Sequence, residues 1–278
     1  MQRNIAKKVK GMKAIDGAGV HLVRVLGRHS MKDYDPILML DSFDSTDPDD
    51  YIRGFPFHPH RGIETITYLK RGSMTHRDSL GNSGTITDGQ VQWMTAGSGI
   101  MHEEMPQASE RMLGVQLWLN LPKEDKMCRP RYVDITDIPR VDEGNSRVDV
   151  ISGKYKDTEG HQGDYIALDF YHIEMDKGAA LELKTDPDKQ VILFTLEGDA
   201  VIAEEAVEEK TAVQTSEGDT LKLEAPGPAS ILFLQAKALN EPISWGGPIV
   251  MNTKEELDLA FKEFRDGNFL KEKPIAED

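Results

Sequence analysis

The 278-residue sequence contains a single cysteine, Cys128, so no disulfide can form within the chain. This fits a reducing compartment, in which thiols stay free. No apolar run approaches the roughly 20 residues that a membrane-spanning helix needs. The lysines of the opening "MQRNIAKKVKGMKAIDG" are not followed by the apolar stretch of a signal peptide. We therefore expect a cytoplasmic protein that does not enter a membrane.

Positive charge is also scarce. The chain has 33 lysines and arginines against 48 aspartates and glutamates, a formal net charge of −15. Direct binding to nucleic acid rewards clustered basic residues, so this balance argues against it. A composition of 38% hydrophobic and 29% charged residues is typical of a globular protein rather than a disordered one.

Helical periodicity is missing along most of the chain. Short β-rich runs alternate instead with clusters of Gly, Pro, Asp and Asn; examples are "HLVRVLG", "ETITYLKRG", "VQWMTAG", "LGVQLWLNL" and "QVILFTLEG". This spacing predicts an all-β fold, either a sandwich or a barrel.

One segment near the end, "NTKEELDLAFKEFRDGNF", breaks the β pattern. Thr253 and Glu256 have the spacing of a capping box, in which each side chain bonds the other residue's backbone. Apolar residues follow at helical intervals, and Gly267 is a suitable stop. The apolar residues are Leu257, Ala260, Phe261 and Phe264. We predict one amphipathic helix packed against the β-structure.

An internal repeat suggests two β-domains. The run "ETITYLKRG" from Glu64 is echoed by "QVILFTLEG" from Gln190, and "TDGQVQWMTAG" from Thr87 by "SEGDTLKLEAPG" from Ser216. The same order at offsets of 126 and 129 residues favours duplication over chance likeness between strands. We predict an N-terminal barrel over 1–139, a second barrel over 140–251, and a helix and tail over 252–278.

The run "FPFHPHRG" places two histidines one residue apart. Pro56 and Pro59 disfavour a helix, because proline lacks the backbone N–H and clashes with the preceding turn. In an extended chain, residues two apart point to the same face. The rings of His58 and His60 should therefore point to one spot, although a pair of this kind alone is also typical of a surface turn.

A second grouping, "GIMHEEMP", supplies further ligand types. In a strand Glu104 shares a face with His102, whereas Glu103 points away. Three imidazoles and one carboxylate suit a divalent transition metal such as Fe, Mn, Co, Ni, Cu or Zn. At the repeat offsets the second domain has Lys184, Asp186, Ile231 and Phe233. We therefore expect that domain to lack metal ligands and the chain to bind one metal.

The stretch from "FPFHPHRGIETITYLKRGSMTHRDSLGNSG" to "GQVQWMTAGSGIMHEEMP" resembles the signature region of the pirin family within the cupins. The ending "GPIVMNTKEELDLAFKEFRDGNF" is similar to the pirin C-terminus. The resemblance implies a bicupin of two antiparallel jelly-roll barrels, with one mononuclear metal, usually iron, in the N-terminal barrel. It implies as ligands the four residues that spacing also selects: His58, His60, His102 and Glu104.

Some bacterial pirins are quercetin 2,3-dioxygenases, which open a flavonol with dioxygen and release carbon monoxide. The resemblance therefore implies a metal-dependent dioxygenase, most simply with Fe(II), in which Glu104 is the base. Other pirins are cofactors of transcription factors or modulators of metabolic enzymes. A metal- or redox-dependent regulatory protein with a protein partner is thus the alternative, and a structural metal without turnover is a third possibility.

Three residues outside the ligand set are candidates for supporting roles. Arg61 could hold a ligand carboxylate or lie on the surface. Glu64 could accept the N–H of a metal-bound histidine, the usual way in which such a ring is fixed. His76 could lie behind the ligands or at a pocket rim, or it could be a surface histidine paired with Asp78.

Apolar side chains flank the second ligand pair. Trp93, Met94 and Met101 could line a pocket for an aromatic substrate, although a barrel core needs residues of this kind in any case.

Overall fold

The computed structural model describes residues 1–273, and strands predominate in them. The strands are β1 (Ile5–Lys10), β2 (Met12–Asp16), β3 (Val20–Leu26), β4 (Ile37–Ser45), β5 (Phe55–His60), β6 (Ile63–Arg71), β7 (Ser73–Asp78), β8 (Ser83–Ile86), β9 (Gln90–Thr95), β10 (Ile100–Gln107), β11 (Met112–Asn120), β12 (Arg131–Ile135), β13 (Arg140–Asp142), β14 (Ser146–Ser152), β15 (Lys154–Tyr155), β16 (Thr158–Glu159), β17 (Asp169–Met175), β18 (Ala180–Lys184), β19 (Gln190–Glu197), β20 (Ala200–Ile202), β21 (Glu205–Val207), β22 (Thr211–Thr215), β23 (Thr220–Glu224), β24 (Ala229–Ala236), β25 (Ser244–Gly246) and β26 (Ile249–Met251). Short 3₁₀ turns cover Pro48–Asp50 and Lys123–Asp125, and the helix α1 covers Lys254–Arg265. The all-β expectation with one C-terminal helix is confirmed.

The chain divides into two compact units whose ends are exchanged. The N-unit contains Lys13–Val23, Ile37–Thr136 and the chain from Leu239 onward. The C-unit contains Met1–Met12, Arg24–Pro36 and Asp137–Ala238. The chain passes from the N-unit to the C-unit between Thr136 and Asp137 and returns to the N-unit at Leu239. Residues 274–278 of the predicted tail lie outside the described part of the chain.

Each unit has one seven-stranded and one four-stranded antiparallel sheet, the arrangement of a jelly roll. In the N-unit the strand orders are β12-β9-β6-β11-β4-β3-β2 and β5-β10-β7-β8. In the C-unit they are β1-β22-β19-β24-β17-β14-β13 and β18-β23-β20-β21. Within these four sheets, every strand of one unit therefore has a counterpart at the same place in the other. The chain order is also the same, except that β1 occupies the place that β12 holds in the N-unit.

The sheet orders correct part of the repeat alignment. The first pair of echoes matches β6 with β19, which are true counterparts, but the second matches β9 with β23. By position β23 corresponds to β10, so the second match was wrong. Alternating strands next to a glycine turn look alike, which explains the error. Ile231 and Phe233 lie on β24 and are therefore not the counterparts of His102 and Glu104.

Leucines from β18 and β23 fill the interior of the C-unit. Leu181 pairs with Leu223 and Leu183 with Leu221 in the register of these strands, and all four are buried. Between them Glu182 and Lys222 face solvent. The period of two therefore gives these strands one apolar face and one charged face.

Helix α1 begins as the sequence predicts. The Thr253 hydroxyl accepts the N–H of Glu256, and the Glu256 carboxylate accepts the N–H of Thr253. These two bonds satisfy N–H groups that a helix start leaves without partners. Gly267, with φ of 75°, follows the last turn in the left-handed conformation that glycine tolerates best. The predicted capping box and stop are confirmed.

One side of α1 packs against β26. Ala260 is buried, and Leu257 and Phe261 contact a cluster that includes Ile249 and Met251. Phe264, which the pattern placed on the apolar side, is 40% exposed. Among the described residues no helix is long and apolar enough to cross a membrane.

Candidate metal centre

Strand β5 brings the two histidines of the HPH run to one face, as an extended backbone requires. Its antiparallel neighbour β10 pairs His102 with His58 and Ile100 with His60. Side chains of directly opposed residues lie on the same side of a sheet. The three histidines therefore meet inside the N-unit, where His60 and His102 are buried and His58 is half-buried.

The three imidazoles converge through their Nε2 atoms. The Nε2 atom of His58 lies 3.0 Å from that of His60 and 3.0 Å from that of His102. Ligand nitrogens bound about 2.1 Å from one ion, at right angles to each other, are separated by about 3.0 Å. The spacing therefore fits neighbouring positions around a transition-metal ion.

Hydrogen bonds on the far side of two rings fix which nitrogen faces the cluster. The Nδ1 atom of His58 lies 2.9 Å from the carbonyl of Pro56, and that of His60 lies 3.1 Å from the carbonyl of Pro248. A carbonyl only accepts, so Nδ1 carries the proton in each ring and Nε2 of the neutral ring presents a lone pair. Two lone pairs facing each other at 3.0 Å repel until a cation lies between them. The donor set and its orientation thus fit a metal ion.

Burial keeps the rings in the form that binds metal. Burial, reinforced by the neighbouring His58, lowers the pKa of His60 to about 3. Burial also lowers the pKa of His102 well below its ordinary value, with smaller contributions from the histidines around it. Both rings are therefore neutral near pH 7, and metal binding there needs no loss of a proton from them.

The carboxylate of Glu104 lies beside this group and is almost fully buried. Its Oε2 atom is 3.9 Å from Nε2 of His102. A register shift between His102 and Glu104 in their pairing with β5 marks an irregularity at this point of β10. Glu103 points out of the unit, where the guanidinium of Arg77 binds it at 2.8 Å.

Two polar side chains from the opposite sheet hold the Glu104 carboxylate. The Thr67 hydroxyl donates to Oε1 at 2.9 Å, and the Gln116 amide donates to Oε1 at 2.8 Å and to Oε2 at 2.7 Å. All three residues are buried. Thr67 and Gln116 are not among the site residues that the sequence predicts. Their signal is a polar residue at an inward position of an otherwise apolar strand, which in β11 reads "VQLWL".

Arg61 neither holds a ligand nor lies on the surface, the two roles expected for it. Its side chain is only 2% exposed. The guanidinium donates to Oε2 of Glu263 at 2.7 Å and to the carbonyl of Phe269 at 2.7 Å. The sequence pattern could not reveal this, because both partners lie more than 200 residues further along the chain.

Glu64 is buried, but not against the ligands. In the register of the seven-stranded sheet Thr67 opposes Gln116, so Glu64, three residues from Thr67, lies on the other face of β6. There its carboxylate accepts the hydroxyl of Thr95 at 2.6 Å. The N–H of His60 is taken by the carbonyl of Pro248 instead.

His76 is buried rather than on the surface, and it does not pair with Asp78. Its ring stacks on Tyr132 with centroids 4.0 Å apart, and Nε2 lies 3.6 Å from Oδ2 of Asp134. It opposes Glu104 in the pairing of β7 with β10. The position behind the ligands therefore describes it best. Asp78 caps the following turn instead, accepting the N–H groups of Leu80 and Asn82.

The three candidate pocket residues do not lie on one common face. Met94 opposes Thr65 on the inner face of the large sheet, whereas Trp93 opposes Ile66 on the other face. Met101 follows the parity of Glu103 and so faces away from His102. An aromatic residue that the analysis missed, Trp118, lies nearest the histidines, with its ring 5.0 Å from that of His60.

Comparisons with known proteins agree with this architecture. The family model described as Pirin matches residues 19–119, and that of the Pirin C-terminal cupin domain matches residues 170–270. A pirin-like protein of Caulobacter vibrioides is 42% identical over 274 residues, which cover 96% of this chain and 99% of the relative.

Solved structures extend the comparison. The crystal structure of a quercetin 2,3-dioxygenase from Acinetobacter baumannii has a TM-score of 0.90 and 34% identity, covering 97% of this chain and 99% of its own. A bacterial pirin from Escherichia coli, solved in complex with nickel(II), shares the fold with a TM-score of 0.64 at 19% identity, covering 84% of this chain and 98% of its own. On the strength of its sequence and its two cupin units, the chain belongs to the pirin family.

Proposed function

We propose that the protein is a mononuclear metal-dependent dioxygenase that opens the ring of a flavonol, or of a related enol-bearing aromatic, with dioxygen. The observation that carries the proposal is the convergence of three imidazole Nε2 atoms beside the buried carboxylate of Glu104. The 34% identity to a quercetin 2,3-dioxygenase over nearly the whole chain supports the same reaction class.

His58, His60, His102 and Glu104 are the proposed ligands. The ion is most simply Fe(II), although this donor set also suits Mn, Co, Ni, Cu or Zn. When bound, such an ion provides a positive charge that chelates an enol oxygen and, if it is redox-active, a route for electrons from the substrate to dioxygen. If these four residues held the ion, it would also supply a place for a substrate oxygen and for dioxygen to bind.

Glu104 is the proposed base. A flavonol's 3-hydroxyl must lose its proton to bind as an oxyanion, and the carboxylate of Glu104 lies 3.9 Å from Nε2 of His102. A base must come within hydrogen-bond reach of the proton that it removes. Thr67 and Gln116 hold the carboxylate from behind and so direct it towards the histidines. Their hydrogen bonds also provide partners for both carboxylate oxygens in a buried position.

The product balance defines the assay. Both atoms of dioxygen enter the ring-opened product, and one ring carbon leaves as carbon monoxide. We would load the protein anaerobically with ferrous iron, add quercetin and then oxygen, and measure flavonol loss together with carbon monoxide. Stoichiometric carbon monoxide is the expected result.

Two variants make the test specific. Glu104→Gln keeps the shape of the side chain but removes the base, so turnover should fall at least about 100-fold, the usual scale of general-base catalysis. Glu103→Gln makes the same change one residue earlier, on the face bound by Arg77, and should behave like the wild type. Metal content is measured in all three proteins.

The assay also separates the alternatives. If the metal-loaded wild type releases no carbon monoxide, the dioxygenase proposal fails. A regulatory protein that uses the metal to change its interaction with a partner would then be the better assignment. If Glu104→Gln retains its metal and full turnover, the enzyme stands but Glu104 is not its base.

A further inference from the structure

Two buried cationic side chains lie next to strand β5 without belonging to the proposed ligand set. Arg61 follows the ligand His60 directly, and Lys126 lies on the loop after β11; they are 2% and 3% exposed. Burying a guanidinium or an ammonium group is expensive unless every N–H finds an acceptor. The partners of these two groups should therefore show which part of the chain they hold in place.

The partners of Arg61 all come from the C-terminal segment. Besides the bonds to Glu263 and Phe269 described above, the guanidinium stacks over the Phe269 ring at 4.3 Å. The backbone of Arg61 makes a parallel bridge with Ile249, and its carbonyl accepts the N–H of Val250 at 3.1 Å. The residue after a proposed ligand is thus fixed to β26 and α1 through both its backbone and its side chain.

Lys126 makes a second connection to the same segment. Its ammonium group has three N–H donors, and each has an acceptor: the carbonyls of Gly62 and Val250 and the side-chain oxygen of Asn120. Gly62 is two residues after His60. Lys126 therefore joins the end of the HPH run to β26 from a different direction than Arg61.

The C-terminal segment also touches the ligand itself. The carbonyl of Pro248 accepts the N–H of His60, and it lies next to Ile249, the residue that bridges to Arg61. On the other side of the His60 ring, Trp118 packs against Trp245 of β25 with centroids 5.7 Å apart. The orientation of the ring and the position of its proton thus depend on residues more than 180 positions away in sequence.

We infer that the segment from Ser244 to Phe269 is a positioning element of the metal centre, which sets metal affinity by fixing the His60 ring. Arg61, Lys126 and Glu263 are its positioning residues, since none of them is a proposed ligand. Partners of this kind, outside the ligand set, typically change metal affinity by about 10–100-fold when they are removed.

The inference rests on the metal-binding part of the proposed function but not on the dioxygenase reaction. It is therefore tested by metal binding alone. If the wild type binds metal and releases no carbon monoxide, the reaction fails and the positioning role is untouched. If the variants below bind metal as the wild type does, the positioning role fails and the reaction is untouched.

The main variant is Glu263→Gln. It removes the carboxylate that neutralises Arg61 and changes the shape of the side chain very little. The matched control is Asp258→Asn, which makes the same charge change on α1 at an exposed residue whose partner is Lys254. Binding of Co(II) is measured by competition with a chelator, and the visible absorption of the Co(II) protein reports ligand geometry.

We expect Glu263→Gln to bind Co(II) about 10-fold more weakly, with a shifted visible band. Asp258→Asn should stay within about twofold of the wild type with an unchanged band. Equal affinities and identical spectra for the two variants would overturn the inference. Lys126→Met, which removes the second connection, should again weaken Co(II) binding about 10-fold.

A further variant and a second measurement distinguish a loss of positioning from a loss of folding. Glu263→Asp keeps the charge on a shorter side chain, so it should recover most of the affinity lost in Glu263→Gln. Thermal unfolding of the metal-free proteins is recorded for each variant. A reduced affinity that only follows the metal-free unfolding temperature, without a spectral shift, would count against positioning.

Discussion

Strands β5 and β10 of the N-unit and strands β18 and β23 of the C-unit hold the same place in the same fold, yet they carry opposite kinds of side chain. The inward side chains of β18 and β23 are the buried Leu181, Leu183, Leu221 and Leu223. The inward side chains of β5 and β10 include His58, His60, His102 and Glu104.

The difference shows that a jelly roll can form with either apolar or polar side chains at these inward positions. In the C-unit these positions contribute apolar burial, which is the main stabilising term of a β-sandwich. In the N-unit the same positions hold polar rings and a carboxylate whose burial costs free energy unless partners are supplied. The proposed site therefore replaces core, and stability must come from elsewhere in that unit.

The largest effect should follow from converting one unit into the other. In His102→Leu a proposed ligand takes the residue type of the inward positions of β23, so metal affinity should fall by more than the roughly 10–100-fold typical for residues outside a ligand set. The metal-free protein should unfold at the same or a higher temperature, since a buried polar ring is lost. Metal analysis and thermal unfolding measure the two quantities.

The control for this variant is His21→Gln, which removes an exposed histidine of the same unit. It should retain full metal content. If His102→Leu also keeps its metal, His102 is not a ligand. The polar side chain at this position of the N-unit would then not be explained by metal binding.

The reverse contrast concerns stability. Leu223→Ala should lower the free energy of unfolding by about 2–5 kcal/mol, the usual range for a buried leucine, and leave metal affinity unchanged. His58→Ala should change the metal-free protein by less than about 1 kcal/mol, because the ring is half-buried, but should abolish tight metal binding. Denaturant unfolding, followed by far-UV circular dichroism, measures the free energy of unfolding of both variants. A larger loss in His58→Ala than in Leu223→Ala would contradict the contrast between the two units.

A smaller effect is expected from the side chains that hold the carboxylate. Gln116→Leu removes a hydrogen-bond donor to a charged group, worth about 1.5–3 kcal/mol. Turnover should therefore fall about 10-fold or more while metal content is kept. Gln107→Leu, at the exposed end of β10, is the control and should not differ from the wild type. Unchanged turnover in Gln116→Leu would show that Thr67 alone is enough to hold Glu104.

The buried imidazoles should also make the metal-free protein sensitive to acid. The pKa of His60 is lowered to about 3 in the folded state, while an unfolded histidine titrates near 6.5. Between these values the unfolded chain binds the extra proton, so stability is complete above about pH 6.5 and is lost as the pH falls towards 3. The slope is roughly 1 kcal/mol per pH unit for one group.

Unfolding of the metal-free protein between pH 7 and pH 4 tests this, with His60→Leu as the comparison. That variant has the residue type found at the inward positions of β18 in the C-unit and should show a shallower slope. Identical slopes would mean that His60 is not held neutral by burial.

The local features of this molecule were predictable because they rest on short-range rules. The period of two placed His58 and His60 on one face of β5, placed His102 and Glu104 on one face of β10, and separated Glu104 from Glu103. The spacing of Thr253 and Glu256 located the start of α1. Each of these inferences needs only a few neighbouring residues and the geometry of one element.

The remaining features depend on distant pairings that a local pattern does not contain. The sequence around Arg61 does not distinguish it from a surface arginine, because its partners Glu263 and Phe269 are distant in sequence. The role of Gln116 can be assigned only when it is known that β11 and β10 face each other across the interior. The repeat was detected correctly at β6 and β19 but misaligned further on, because strand alternation carries too little information to distinguish β22 from β23.

The chain order of the paired elements has a consequence for folding during synthesis. Strand β1 pairs with β22, so about 200 residues must be made after β1 before its neighbour exists. The carbonyl of Pro248, which bonds His60, and the carboxylate of Glu263, which bonds Arg61, follow their partners by 188 and 202 positions. Domains usually fold in turn as they emerge, the N-terminal one first. Here neither unit can be completed before most of the other has been synthesised, and the proposed metal site should be fully held only after Glu263 has emerged.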